Sequence, residues 1–130
     1  MQPNELNFDD DRSTQIKLPE QEKPLTLTIS DSLNAYDEEI TSGYKKRISE
    51  FLNSSNIWFK VCVDKLRKDL NAGSDYRLME IFILSEQNSI SMIFGMLFNV
   101  SGDKEHGRGF KINEKDFSII EYGLSDVAYT

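Results

Sequence analysis

Near the start of the chain apolar residues alternate in short pairs, Leu6 with Phe8 and Ile16 with Leu18, on either side of the polar string Asp9-Asp10-Asp11-Arg12-Ser13. Alternation with a period of two marks a half-buried strand, so two short strands are predicted around that string. Residues 19–24 (PEQEKP) read as a loop, and Leu25-Thr26-Leu27-Thr28-Ile29 as a strand with Leu25, Leu27 and Ile29 on one face. The period then changes. Leu33, Tyr36, Ile40, Tyr44, Ile48, Phe51 and Leu52 recur at three- and four-residue steps, which puts them on one face of a helix. Ser30, Asp31 and Ser32 offer N-caps, with Asp37, Glu38 and Glu39 just inside, where the helix dipole favours acids. Asn53-Ser54-Ser55-Asn56 breaks that helix. Trp58, Cys62, Leu66 and Leu70 form the stripe of a second one, which Ala72-Gly73-Ser74 ends. So short a connection predicts a helical hairpin over 31–73.

From Tyr76 to Tyr122 four runs rich in β-branched, aromatic and Met residues are separated by polar or glycine-bearing breaks. They predict a four-stranded antiparallel meander over 76–123. Its first two strands are apolar on both faces, because Met79, Ile81 and Ile83 alternate with Leu78, Phe82 and Leu84, and Met92, Phe94, Met96 and Phe98 with Ile93 and Leu97. Strands of that kind are central and covered on both sides. The helical hairpin accounts for one face; the other calls for the amino-terminal segment or a partner chain. Gly95, in mid-strand, signals a bulge or a close neighbour. The expected fold is α+β: a mostly antiparallel sheet of five to seven strands with one helical hairpin on a face. Residues 1–130 are expected to form a single domain, with amino-terminal strands in 1–30.

The net charge of −7 changes the picture because of where it sits. Residues 1–39 hold ten acids against three bases, and the remainder is neutral with twelve of each. A nucleic-acid binder needs a basic footprint, and no such footprint is present. The acids Asp9, Asp10, Asp11, Asp37, Glu38 and Glu39 are therefore candidates for docking a basic protein partner, with Tyr36 beside them; solubility is the plainer reading of the same charges. No apolar run approaches the length of a membrane span, and the start of the chain lacks the pattern of a signal peptide. The lone Cys62 excludes an internal disulfide and fits a reducing, cytoplasmic setting. Its place on an apolar helical stripe reads as core rather than nucleophile.

The string from Gly102 to Gly109 reads as a long hairpin loop and contains the sole histidine. Asp103, Glu105 and His106 combine carboxylate and imidazole, common metal ligands, but lack the helical spacing or second cluster of a built site. The structural reading is that Gly102, Gly107 and Gly109 provide positive φ where the hairpin reverses, with His106 fixing the turn. Nucleophile elbows and phosphate-cradling glycine loops are missing, so neither enzymatic chemistry nor a cofactor is expected.

The pattern Asp103-x-Glu105-His106-Gly107-x-Gly109-Phe110-x-Ile112, with Gly123-Leu124-Ser125-Asp126 after the following strand, resembles the carboxyl-terminal signature of a group of small bacterial domains of unknown function. The resemblance covers residues 76–126. It implies a role among immunity proteins of toxin systems, or accessory cytosolic proteins, as suspected for members of such families, and it brings no catalytic residue with it. The function expected is a non-enzymatic protein-binding module that occludes a partner, possible partners including a basic toxin domain. The alternatives are a homodimer burying its spare sheet face, and a small metal-dependent enzyme built on the Asp103/Glu105/His106 loop.

Overall fold

The computed structural model describes residues 1–31, 33, 39–70, 75–101 and 103–130, with the backbone alone for 103–106. Six strands form one sheet in sequential order: β1 (Ser13–Ile16), β2 (Leu25–Ile29), β3 (Tyr76–Ile83), β4 (Ile93–Val100), β5 (Asp103–Asn113) and β6 (Ile119–Gly123). Every pairing is antiparallel except β2 with β3, which run parallel. A parallel pair needs a crossover. It is made by α1 (Ser42–Asn53) and α2 (Ser55–Asp69), which cover one face of the sheet and are joined through the single residue Ser54. This is the expected α+β architecture.

The core lies between the helices and that face. Phe51 of α1 stacks on Phe94 of β4 with centroids 3.8 Å apart and on Trp58 of α2 at 5.1 Å, so one aromatic column ties both helices to the central strand. Trp58 is fully buried, and its indole N–H donates to the Phe51 carbonyl at 2.8 Å, satisfying a carbonyl at the open end of α1. Ile48, Leu52, Leu66, Ile81, Met96, Phe98, Phe110 and Ile112 fill the space around the column with no exposure. Ahead of the start of β2, the Gln21 side chain stands in as a partner for β3. Its amide donates to the Leu78 carbonyl at 2.9 Å and its oxygen accepts from the Leu78 N–H at 3.1 Å.

Three expectations are corrected. The strand predicted at Leu6–Phe8 does not form: Pro3–Glu5 is a 3₁₀ turn, and Leu6 is buried beside α1, where Asn53 grips both polar groups of Met1. The first helix starts at Ser42 rather than after Ser30-Asp31-Ser32. Its cap is Thr41, whose hydroxyl accepts from the Tyr44 N–H at 3.1 Å. The Gln87 side chain holds that start, accepting from the Thr41 N–H and hydroxyl and donating to the Glu39 carbonyl, so Glu39 precedes the helix. Finally, the second sheet face is crossed by the carboxyl-terminal 3₁₀ turn Ser125–Ala128, not by the amino-terminal segment. Gly95 exists for that crossing. A Cβ there would stand 1.7 Å from the Ala128 carbonyl oxygen, and one on Gly109 would stand 2.8 Å from the Ala128 nitrogen.

Arg47 fastens the helical layer to two turns of the sheet. Its guanidinium forms a two-pronged pair with Glu114 and donates to the Ser89 carbonyl at 2.7 Å, while Glu114 also accepts from the Met92 N–H at 3.0 Å. Burial raises the Glu114 carboxyl, but the Arg47 and Met92 hydrogen bonds outweigh it and hold the group below its usual value. A depressed folded pKa means stability that is present above the unfolded value and is lost as pH falls through the folded one. Glu114→Gln should therefore unfold at lower denaturant than wild type at neutral pH, by about 1–3 kcal/mol. The gap should close as acid protonates Glu114 in the wild type. Urea titrations at two pH values check this; a gap that is constant with pH would refute the ion-pair account.

Candidate binding site

Strands β2 and β3 run parallel, so they end together, and the turn before β1 lies at the same end because β1 is antiparallel to β2. The chemistry gathered there starts from Asp9. Its Oδ1 accepts from the N–H of Asp11 at 2.9 Å and of Ser13 at 3.2 Å, which folds 9–13 into a side-chain-stabilised turn. Arg12 takes a left-handed conformation (φ 59°), and its carbonyl accepts from Ile29 at 2.9 Å, pinning the turn to the end of β2. Asp9 therefore shapes the turn, while Asp10 and Asp11 stand exposed on it. Directly after β2, buried Ser30 donates its N–H to the Ile83 carbonyl at 3.0 Å, and the chain turns outward with Asp31 exposed.

Asp11 and Asp31, from these separate segments, edge an open cleft of about 380 Å³. Its remaining lining is Thr28, Ile29, Ser30, Phe82 and Tyr129. Phe82 stands on the β3 face turned away from the helices, and Tyr129 reaches it from the carboxyl-terminal segment with ring centroids 5.5 Å apart at 54°. Tyr129 remains 46% exposed, enough for a ring to offer its face to a ligand. The Thr28 hydroxyl donates to Glu80 at 2.6 Å and keeps its lone pairs for a donor from outside. The arrangement is an aromatic floor with anionic edges, suited to binding a cation.

Of the acids singled out in the sequence, Asp11 lines this cleft with Asp9 and Asp10 on the same turn, and exposed Glu39 follows from the same sheet end through its tie to Gln87. Asp37 and Glu38 lie outside the described residues, as does Tyr36. Sequence reasoning missed Phe82 and Tyr129 as site residues. Phe82 had a signal, since it belongs to the second apolar row of a two-sided strand; Tyr129 had none.

The glycine-rich string is a strand rather than a loop. Gly102 lies outside the described residues, and Asp103 already pairs with Val100. The register then slips, so that residues 104–107 span what Asn99 alone spans on β4. Gly107 closes that bulge at φ +49°, with a hypothetical Cβ 2.6 Å from the Phe98 carbonyl oxygen, whereas Gly109 makes room for the carboxyl-terminal turn. Each glycine is thus required for a different reason. The side chains of Asp103, Glu105 and His106 are outside what is described; among the described residues no three His, Cys, Asp or Glu side chains gather as a metal site. Farther along the motif, Tyr122 donates to Asp69 at 2.6 Å, tying β6 to the end of α2; burial and that carboxylate push its pKa up to about 12.

Two other features carry less. Cys62 is completely buried, and desolvation raises its thiol well above the ordinary range, so it stays protonated as a core side chain. A second cleft of about 440 Å³ lies by Phe117 and the exposed Ile90, but its main charged groups, Arg47 and Glu114, are spent on each other. No described helix is long and apolar enough to cross a membrane. No family model, curated protein or solved structure matches the chain.

Proposed function

We propose that the chain is a non-catalytic protein-binding module, working in the cytoplasm, that docks a basic partner at the acid-edged end of β2 and β3. An immunity-type role, occluding a toxin domain, is the form of this reading that the carboxyl-terminal signature suggests. The observation that carries the reading is the meeting of Asp11 and Asp31 with the Phe82–Tyr129 pair. Protein interfaces are built in that way, with aromatic anchors inside and charge on the rim. The homodimer alternative calls for an uncovered sheet face, and the carboxyl-terminal turn occupies part of that face over Gly95 and Gly109.

Rim charges act chiefly on encounter, so the test is kinetic. Replacing Asp9, Asp10, Asp11 and Asp31 together by asparagine keeps the turn-forming oxygen of residue 9 and removes the charge. With the partner obtained by co-purification, association should slow severalfold at low salt, and the difference should fade once screening acts within about 8–10 Å. Stopped-flow mixing at two ionic strengths measures it. An association rate indifferent to both salt and the substitutions would reduce these acids to solubility groups.

A further inference from the structure

The cleft is specific enough to say what enters it. We propose that the space between Asp11, Asp31 and the Phe82–Tyr129 pair seats one arginine side chain of the partner. The inference rests on the docking reading above and names the group that does the docking.

Four features of the cleft select that group. Its edges are anionic from two sides, Asp11 on the turn before β1 and Asp31 on the turn after β2, so a cation arriving between them meets a carboxylate on each. Its floor is aromatic: the rings of Phe82 and Tyr129 are tilted at 54° rather than stacked on each other, and Tyr129 is half-exposed. A cation over such a face gains an attraction that the flat guanidinium uses best, since it stacks as well as carrying charge. The wall between floor and edge carries the Thr28 hydroxyl, which donates to Glu80 and so presents its lone pairs as acceptors to a group with several N–H donors. The volume of about 380 Å³ takes a side chain and not a folded element. Lysine meets the charge requirement only. Its compact ammonium is more strongly hydrated and cannot lie flat on a ring, so it should bind more weakly.

The probe is acetyl-arginine amide, titrated into the intact protein while backbone amide NMR shifts are followed, with acetyl-lysine amide and acetyl-citrulline amide as comparisons. Citrulline keeps the planar shape without the charge. The expected result is saturable, weak binding of the arginine compound, with shifts centred on Asp11, Asp31, Phe82 and Tyr129. Lysine should bind several times more weakly and citrulline not measurably. Asp31→Asn, an exposed substitution that leaves the core alone, should weaken arginine binding severalfold; Phe82→Leu should do so by about tenfold, through loss of the aromatic floor. Equal binding of citrulline, shifts centred elsewhere, or no saturation with the arginine compound would overturn the proposal. Slowed partner association in the four-acid variant with no saturable arginine binding would sink the seat and leave the docking reading intact. Arginine binding at the cleft with partner association indifferent to the acids would sink the docking reading, and with it the partner as the source of the arginine.

Discussion

Trp58→Ala should destabilise the protein by about 3–5 kcal/mol, the cost of deleting a fully buried indole from a core that cannot close over the hole. The site gives little room for collapse, because Trp58 lies in a column with Phe51 and Phe94 whose members touch face to face. The indole N–H adds a second loss, since the Phe51 carbonyl at the end of α1 gives up a partner. Trp58→Phe separates the two contributions: it retains most of the ring contact and forfeits the hydrogen bond, worth about 1 kcal/mol. Chemical denaturation followed by circular dichroism measures both. The native emission of this single tryptophan should be that of an indole shielded from water. A hydrated emission maximum in the folded protein, or a cost below 1 kcal/mol for the alanine variant, would show α2 to be wrongly seated.

Gly95→Ala should detach the carboxyl-terminal segment from the sheet. The new methyl group would lie 1.7 Å from the Ala128 carbonyl oxygen and 2.7 Å from its carbonyl carbon, which are backbone atoms and cannot swing aside as a side chain can. Overpacking of this kind costs about 1–3 kcal/mol. Its local signature is more telling than its size. The amides of Val127, Tyr129 and Thr130 are held by the Leu124 and Asp126 carbonyls and should lose hydrogen-exchange protection, while the β3–β4 ladder keeps its own. Gly109→Ala, which meets the same segment from the neighbouring strand, should reproduce the effect. Protection at those amides unchanged in both variants would mean that the segment does not cross the sheet there. Tyr129 belongs to this segment, so the same substitutions should also dismantle one wall of the cleft.

The strands and helices whose burial is one-sided or two-sided along a clear period were legible in the sequence. The meander, β2 and the second helix stand where alternation and helical spacing placed them, because in those stretches the hydrophobic pattern and the backbone geometry express the same constraint. Failures came where a single polar contact decides the outcome. Nothing in the periodicity of Leu33, Ile40 and Tyr44 shows that Gln87, distant in sequence, would grip Thr41 and Glu39 and fix the helix start. Residues 103–109 read as a loop because they are polar and rich in glycine. Pairing with β4 nevertheless makes them a strand, and a bulge absorbs the surplus residues. The carboxyl-terminal segment was the hardest to read. Over the central strands its contact is through Ala128 and backbone, which leave no hydrophobic pattern, and the signal for it sat in the other partner, at Gly95.

The candidate site shares that weakness. Its acids were visible as an excess of charge in the first third of the chain, but charge alone does not separate docking from solubility. The separation comes from Phe82 and Tyr129, which meet Asp11 and Asp31 only after β2, β3 and the carboxyl-terminal segment have been brought together. The most direct measurement is the hydrogen-exchange footprint of the bound partner on this protein. Binding at the acid-edged cleft should add protection to residues 9–13, 30–31 and 127–130 and leave the exposed face of α2 unchanged. Protection confined to the helical face, with those three segments exchanging as in the free protein, would contradict the account.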